Sequence, residues 1–252
     1  MKAVVVTRPL AEATRWAERL QERGMAPIVL PLIAIGPAPD LEALSRAASA
    51  VNDYAAVMFV SANAVQGFFA ASPSFLQPRA WAPGPATREA LRAAGVGEVR
   101  IDAPAQEAAQ FDSESLWQQV QGQLRRGDRL LLVRGADAGG RSQGRDWLAQ
   151  QLTAAGVQVE SVTAYCREVP TWDGAMRSAA ARAAQDGSLW LFSSSEAAAN
   201  LAALLPEARW QQARALATHP RIAQAVRSLG FGSVQETRPA FEDVVASIES
   251  AA

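Results

Sequence analysis

The chain has 252 residues, 49% of them hydrophobic, enough for one large core or two modest ones, and two suits ordinary domain size better. A net charge of -1, with 19% charged residues, leaves no broad basic field for nucleic acid or an anionic membrane. The single cysteine, Cys166, excludes an intrachain disulfide, and one histidine beside it argues against a structural zinc site. The apolar start is cut short by Arg8 before it could serve as a signal core, and no apolar run is long enough to span a bilayer. The reading is a soluble cytoplasmic protein.

Val4 to Val6 is a β-branched run without alternation, which predicts a buried parallel strand. Ala11 to Arg23 predicts an amphipathic helix stopped by Gly24. Ile28 to Ile35 is read as extended, with Pro31 arguing against a central position in a sheet. Next come helix Leu41 to Ser49, strand Ala56 to Val60, helix Asn63 to Ala71, strand Ala80 to Ala82 and helix Thr87 to Ala94. Strand Val99 to Ile101 and a helix from Asp112 to about Leu124 complete the first half. In the second half, strand Leu130 to Val133 leads into a glycine-rich loop, Gly135 to Gly144. Helix Trp147 to Ala155, an extended Val157 to Val169, strand Leu189 to Phe192 and helix Ala197 to Leu205 follow. Strand Ala215 to Ala217, helix Ile222 to Leu229, strand Ser233 to Gln235 and helix Glu242 to Ser250 end the chain. Strands alternating with helices predict an α/β fold of parallel sheets flanked by helices.

The pattern occurs twice. Arg79-Ala-Trp-Ala, with Gly95-Val-Gly further on, returns as Arg214-Ala-Leu-Ala with Gly230-Phe-Gly. Met58-Phe-Val-Ser61 returns as Trp190-Leu-Phe-Ser193, and Val4-Val-Val-Thr-Arg8 as Leu130-Leu-Leu-Val-Arg134. A period of about half the chain is too long for a solenoid, so two similar domains facing a cleft are expected. The domains are either contiguous halves or exchanged, with the two long extended stretches pairing as a two-stranded bridge in the second case.

In open parallel sheets, ligands bind beyond the carboxyl ends of the strands. That nominates Arg8, Ser61-Ala62-Asn63, Pro83 to Thr87, Arg134-Gly135, Ser193-Ser194-Ser195 with Glu196, and Thr218-His219-Pro220-Arg221. Several of these open helices, whose free N–H groups suit carboxylate or phosphate. Ser61, Ser193 and Thr87 are most simply helix N-caps, while Arg8 and Arg134 fit equally as structural ion pairs and His219 as a turn residue. Tyr165, one of two tyrosines, falls in a candidate bridge, where it is either a packed aromatic or a phenol that donates a proton. No nucleophile elbow, dinucleotide fingerprint or P-loop is present.

Taken together, Val6-Thr-Arg-Pro9, Phe59-Val-Ser-Ala-Asn-Ala-Val65, Phe111-Asp-Ser-Glu-Ser-Leu116, Val133-Arg-Gly135, Gly144-Arg-Asp-Trp-Leu148, Val162-Thr-Ala-Tyr165, Phe192-Ser-Ser-Ser195 and Ala217-Thr-His-Pro-Arg-Ile-Ala223 resemble the uroporphyrinogen-III synthase family. Each motif is weak alone; their order and spacing carry the resemblance along the whole chain. It implies two α/β domains joined by a two-stranded β-ladder: 1–35 with 168–252, and 38–162, with bridge strands near 31–37 and 161–169. It implies cyclisation of hydroxymethylbilane, a linear tetrapyrrole, to uroporphyrinogen III with loss of water and inversion of ring D, in heme biosynthesis, without cofactor or metal. Tyr165 matches the family tyrosine that assists hydroxyl departure, and Thr87 a family threonine. His219-Pro-Arg221 replaces a Gly-Pro-Thr of some members, and the glycine-rich insertion before Gly144 departs from a short family loop. A monomer, in transient contact with the preceding pathway enzyme, is expected. The alternative is a two-lobed α/β binding protein or sensor for a small polyanion.

Overall fold

The computed structural model describes residues 3–71, 77–104, 113–137, 139–141 and 147–250. Its elements begin with β1 (Val4–Val6), α1 (Leu10–Glu22), β2 (Pro27–Val29), β3 (Ala34–Gly36) and α2 (Leu41–Ser49). Then come β4 (Ala56–Phe59), α3 (Ala62–Ala71), β5 (Arg79–Trp81), α4 (Pro85–Ala93), β6 (Ile101–Asp102) and α5 (Ser113–Val120). They continue with β7 (Arg129–Asp137), α6 (Trp147–Ala154), β8 (Gln158–Glu168), α7 (Gly174–Ala183), β9 (Leu189–Phe192) and α8 (Ser195–Leu204). The last are β10 (Arg214–Ala217), α9 (Pro220–Ser228), β11 (Ser233–Glu236) and α10 (Phe241–Ser250).

The chain divides into two compact units, one made of Met1–Ala34 with Glu168–Ala252, the other of Ile35–Arg167. The first unit holds a five-stranded sheet in the order β11-β10-β9-β1-β2, every pair parallel. One face packs Val5, Trp190 and Phe192 beneath α7, α8 and α9. Trp190 is fully buried, stacks with Phe192, meets Trp210 edge-on and donates its indole N–H to the Ala183 carbonyl at 3.1 Å. The other face sets Val4, Val6, Leu189, Leu191 and Leu216 against α1 and α10. There Trp16 meets Phe241 edge-on, and Arg19 lies over the Phe241 ring. Each buried aromatic or aliphatic side chain contributes about 1.5–3 kcal/mol relative to exposure.

The second unit holds a six-stranded sheet in the order β3-β8-β7-β4-β5-β6. Val57, Phe59, Leu131 and Val133 face α2, α3 and α4, while Met58, Trp81, Leu130 and Leu132 face α5 and α6. Both places where the chain passes from one unit to the other lie in β3 and β8, which are neighbours in this sheet.

Setting β3 aside, the two sheets have the same order, β11-β10-β9-β1-β2 against β6-β5-β4-β7-β8. The registers fix which residues correspond. Leu189 pairs with Arg214 and Val4, as Ala56 pairs with Arg79 and Leu130. Arg8 and Arg134 are therefore equivalent, each four residues beyond the matching pair. The counterpart of Ser61 is Ser194, one residue past the Ser193 that the sequence repeat suggests. Capping agrees: the Ser61 and Ser194 hydroxyls accept backbone N–H groups of α3 and α8, at 3.2 and 3.1 Å.

Several expectations are corrected. The extended stretch Ile28 to Ile35 is two strands, β2 and β3, in different sheets. Between them Pro31 has no N–H to offer a ladder. The carbonyls of Pro31 and Leu32 instead accept from Trp172 Nε1 at 2.9 Å and Asn200 Nδ2 at 2.7 Å. Val99 is not in a strand but in a 3-10 turn, Glu98–Arg100, 85% exposed. Strand β7 runs on through Gly135, Ala136 and Asp137, so the glycine-rich stretch begins as sheet. Residues 138 and 142–144 of that stretch, 145–146 just after it and 111–112 of the Phe111 motif lie outside the described residues. Helix α7 was not anticipated; Asp173 caps it by accepting from the Met176 N–H at 2.7 Å. Neither Ser193 nor Thr87 is an N-cap: Ser194 holds that place for α8, and Gly84 for α4, with Thr87 buried a turn inside.

Candidate active site

Each sheet has one point where successive connections leave in opposite directions, between β7 and β4 in the second unit and between β1 and β9 in the first. A crevice opens beyond the carboxyl ends of the strands at such a point.

In the second unit β4 ends just before Ser61, while β7, which runs on to Asp137, carries Arg134-Gly135. Arg134 is only 9% exposed, a charge held within that strand. The β7–β8 register shifts between Arg134 and Gly135, which sets Gly135 opposite Tyr165. Tyr165 is buried, with 6% exposure, and its phenol oxygen is 3.1 Å from Ser61 Oγ. Ser61 Oγ also accepts the Ala64 N–H. The first turn of α3 presents Ala62 and Asn63, half-buried, with N–H groups outside the helix's own ladder. The arrangement is a phenol with a hydroxyl partner beside a helix N-terminus. Thr87 is buried on α4.

In the first unit the equivalent ends carry Thr7, Arg8 and Ser193 to Ser195. Thr7 donates its hydroxyl to the Leu191 carbonyl at 2.5 Å, fastening β1 to β9. Arg8 pairs with Glu12 at 3.1 Å and lies over the Trp16 ring at 4.1 Å. Burial pushes the Arg8 pKa below its ordinary value, and Glu12 partly opposes that. Arg8, Trp16, Ser193 and Thr218 line a small hollow of about 10 Å³, close to what one water needs. Ser195 Oγ is buried with no hydrogen-bond partner among the described residues. His219 caps α9: its Nδ1 accepts the Arg221 N–H at 3.1 Å. That leaves Nε2 as the nitrogen that can reach outward, and Arg221 is exposed.

The structure thus brings Ser61, Gly135 and Tyr165 into contact in one unit, and Arg8, Ser193 and Thr218 around one hollow in the other. The residues that hold Arg8 were not singled out in the sequence, although Arg8, Glu12 and Trp16 stand four apart, the spacing of one helix face. Gly67, discussed below, carried no signal beyond being a glycine inside a helix.

Fold and site define a class: a two-unit α/β protein with parallel sheets and a phenol on β8 that meets the N-terminus of α3. The sequence profile described as Uroporphyrinogen-III synthase HemD matches residues 14–246. The chain belongs to the uroporphyrinogen-III synthase family. It is 29% identical over 178 residues to a uroporphyrinogen-III synthase of Synechococcus elongatus, a match over 68% of this chain and 62% of that protein, less than two thirds of the relative's length. Among solved structures it is similar to the uroporphyrinogen-III synthetase of Helicobacter pylori, with 13% identity, all of both chains covered and a TM-score of 0.64. It is also similar to a mutant uroporphyrinogen III synthase of Thermus thermophilus, with 18% identity, 100% and 98% covered and a TM-score of 0.56. At these identities the likeness establishes the fold. Among the described residues, no helix is long and apolar enough to cross a membrane.

Proposed function

We propose that the chain is a uroporphyrinogen-III synthase that closes hydroxymethylbilane into uroporphyrinogen III. The observation that carries the reading is the Tyr165 phenol, held by Ser61 at the switch point of a sheet whose family is that of the synthases. The reaction begins with loss of the terminal hydroxyl. The carbon–oxygen bond breaks, its electron pair leaves with oxygen, and the Tyr165 proton completes a water molecule. The pyrrole nitrogen's lone pair forms the new double bond of an azafulvene, and the proton released from that nitrogen restores the phenol. Because the pyrrole drives departure electronically, the phenol need supply only general-acid help.

The harder task is positional. The new carbon–carbon bond must form at the already substituted α-carbon of ring D, giving a spiro intermediate, rather than at its free one. Restricting the bilane's conformations can supply much of that preference. Helix N-termini suit its carboxylates: Ser61, Ala62 and Asn63 at α3, Ser193, Ser194 and Ser195 at α8, and Thr218, His219 and Arg221 at α9. Arg8 and Arg134 add fixed positive charge, and the unpartnered Ser195 hydroxyl is free to take a ligand oxygen. Thr87, being buried, serves α4 more than it serves a ligand.

The test is to supply freshly prepared hydroxymethylbilane and separate the type I and type III products. Type III is expected; type I alone, the spontaneous product, overturns the reading.

A further inference from the structure

Tyr165 is held from two sides by glycines. On β7, a Cβ placed on Gly135 would collide with Tyr165 Cζ and stand 2.7 Å from both Cε atoms. The phenol end of the ring therefore lies directly over the glycine, a position that any larger residue would deny it. On α3, a Cβ placed on Gly67 would collide with the Ala164 carbonyl. The missing side chain lets α3 press onto β8 at the residue before Tyr165. That close approach sets the start of α3, and with it Ser61, within 3.1 Å of the phenol oxygen.

Ser61 Oγ accepts the Ala64 N–H and keeps both its proton and a second lone pair, so either oxygen of the Ser61–Tyr165 pair can be the donor. A phenol oxygen that accepts from Ser61 has its own proton directed elsewhere. We propose that Gly135 and Ser61 are positioning residues for the Tyr165 phenol: Gly135 is the seat that fixes the ring, and Ser61 turns the phenol proton toward the departing hydroxyl. This rests on the reading that Tyr165 assists that departure. The residue of the first unit equivalent to Gly135 is Pro9, one past Arg8 and beyond the end of β1.

The experiment measures kcat and KM on hydroxymethylbilane for Gly135→Ala, Ser61→Ala and Ser61→Thr, each alone and combined with Tyr165→Phe. Gly135→Ala is expected to lower kcat about a hundredfold, the cost of moving a catalytic group by about 1 Å, with KM little changed. Ser61→Ala should lower kcat about tenfold, and Ser61→Thr, which keeps the hydroxyl, should restore it. Once Tyr165 is Phe, neither substitution should lower kcat further. Losses that multiply in the Tyr165→Phe enzyme, or no loss at all, overturn the proposal; if Gly135→Ala does not fold, the Ser61 pair decides alone. A second readout needs no turnover. In the Tyr54→Phe protein, Tyr165 is the sole tyrosine, and its ring-labelled NMR signal should move in Gly135→Ala and stay in Ser61→Thr. An unmoved signal in an active enzyme overturns the seat, whereas a wild-type protein that makes no type III isomer overturns the reading beneath it.

Discussion

The two switch points are built alike and furnished differently. In the first unit, Arg8 is engaged with Glu12 and Trp16 of the helix it precedes, around a hollow of about one water. In the second, the residue after the equivalent Arg134 is a glycine on which a phenol is seated, and that phenol is joined to a serine. One end is organised as fixed charge and hydroxyls, the other as a group that can give up a proton. The two units share a frame of strands, and the proposed chemistry belongs to the strand whose aromatic residue faces a bare backbone.

The sharpest way to break this comparison is Tyr165→Phe. Turnover should fall about a hundredfold, as expected for loss of a general acid, while thermal unfolding stays nearly unchanged. An unchanged rate removes Tyr165 from the reaction and makes the two ends chemically equal. The matched caps give a finer contrast. Ser61→Ala and Ser194→Ala should each cost about 1 kcal/mol of stability in urea unfolding. Only Ser61→Ala should lower kcat as well; an unchanged kcat in Ser61→Ala would mean that this serine too is merely a cap.

The smallest effect concerns a feature with no counterpart in the first unit. Tyr54 donates to Glu160 at 2.8 Å, and Arg129 bonds Glu160 at 2.7 Å while lying over the Tyr54 ring. Burial, with the Glu160 hydrogen bond and charge behind it, pushes the Tyr54 pKa up to about 12 from 10.0. The folded protein therefore keeps this proton where the unfolded chain loses it. Tyr54 stabilises fully below pH 10, and that contribution falls as pH rises toward 12, by at most about 1.4 kcal/mol per pH unit. Lys2 is the only lysine, so few other groups titrate there. Urea midpoints from pH 9 to 12 should diverge between wild type and Tyr54→Phe; parallel curves would show that Tyr54 ionises as readily folded as unfolded.

Much of this fold is legible in the chain because its signals are local. Runs such as Val4-Val-Val and Leu189-Trp-Leu-Phe announce buried strands, and glycines after amphipathic stretches end the helices. Long-range pairing is not local, and that is where the reading slipped. Nothing near Pro31 says that Trp172 and Asn200 will satisfy its stretch, so one extended segment became two strands. Helix α7 is alanine-rich, with a diffuse apolar face, and only Asp173 marks its start. The candidate site can be read from the chain only as residue types: hydroxyls near strand ends, two arginines and Tyr165. The seat cannot be, because the meaning of Gly135 depends on a ring thirty residues away, across a register shift.

The order of the strands also sets an order in time. The second unit is one uninterrupted stretch, Ile35–Arg167, and every strand of its sheet lies within or at the edge of that stretch. The first unit places β1 between β2 and β9, with Val4 paired to Leu189. On a chain made from its amino end, β1, α1 and β2 emerge first and then wait for β9 with an apolar face uncovered. The unit carrying Tyr165 can complete its sheet in the meantime. Long-range parallel pairings are the slow step of folding and the exposed one. The union of β1 with β9, fastened by the Thr7 hydroxyl on Leu191, is thus the expected late step of folding.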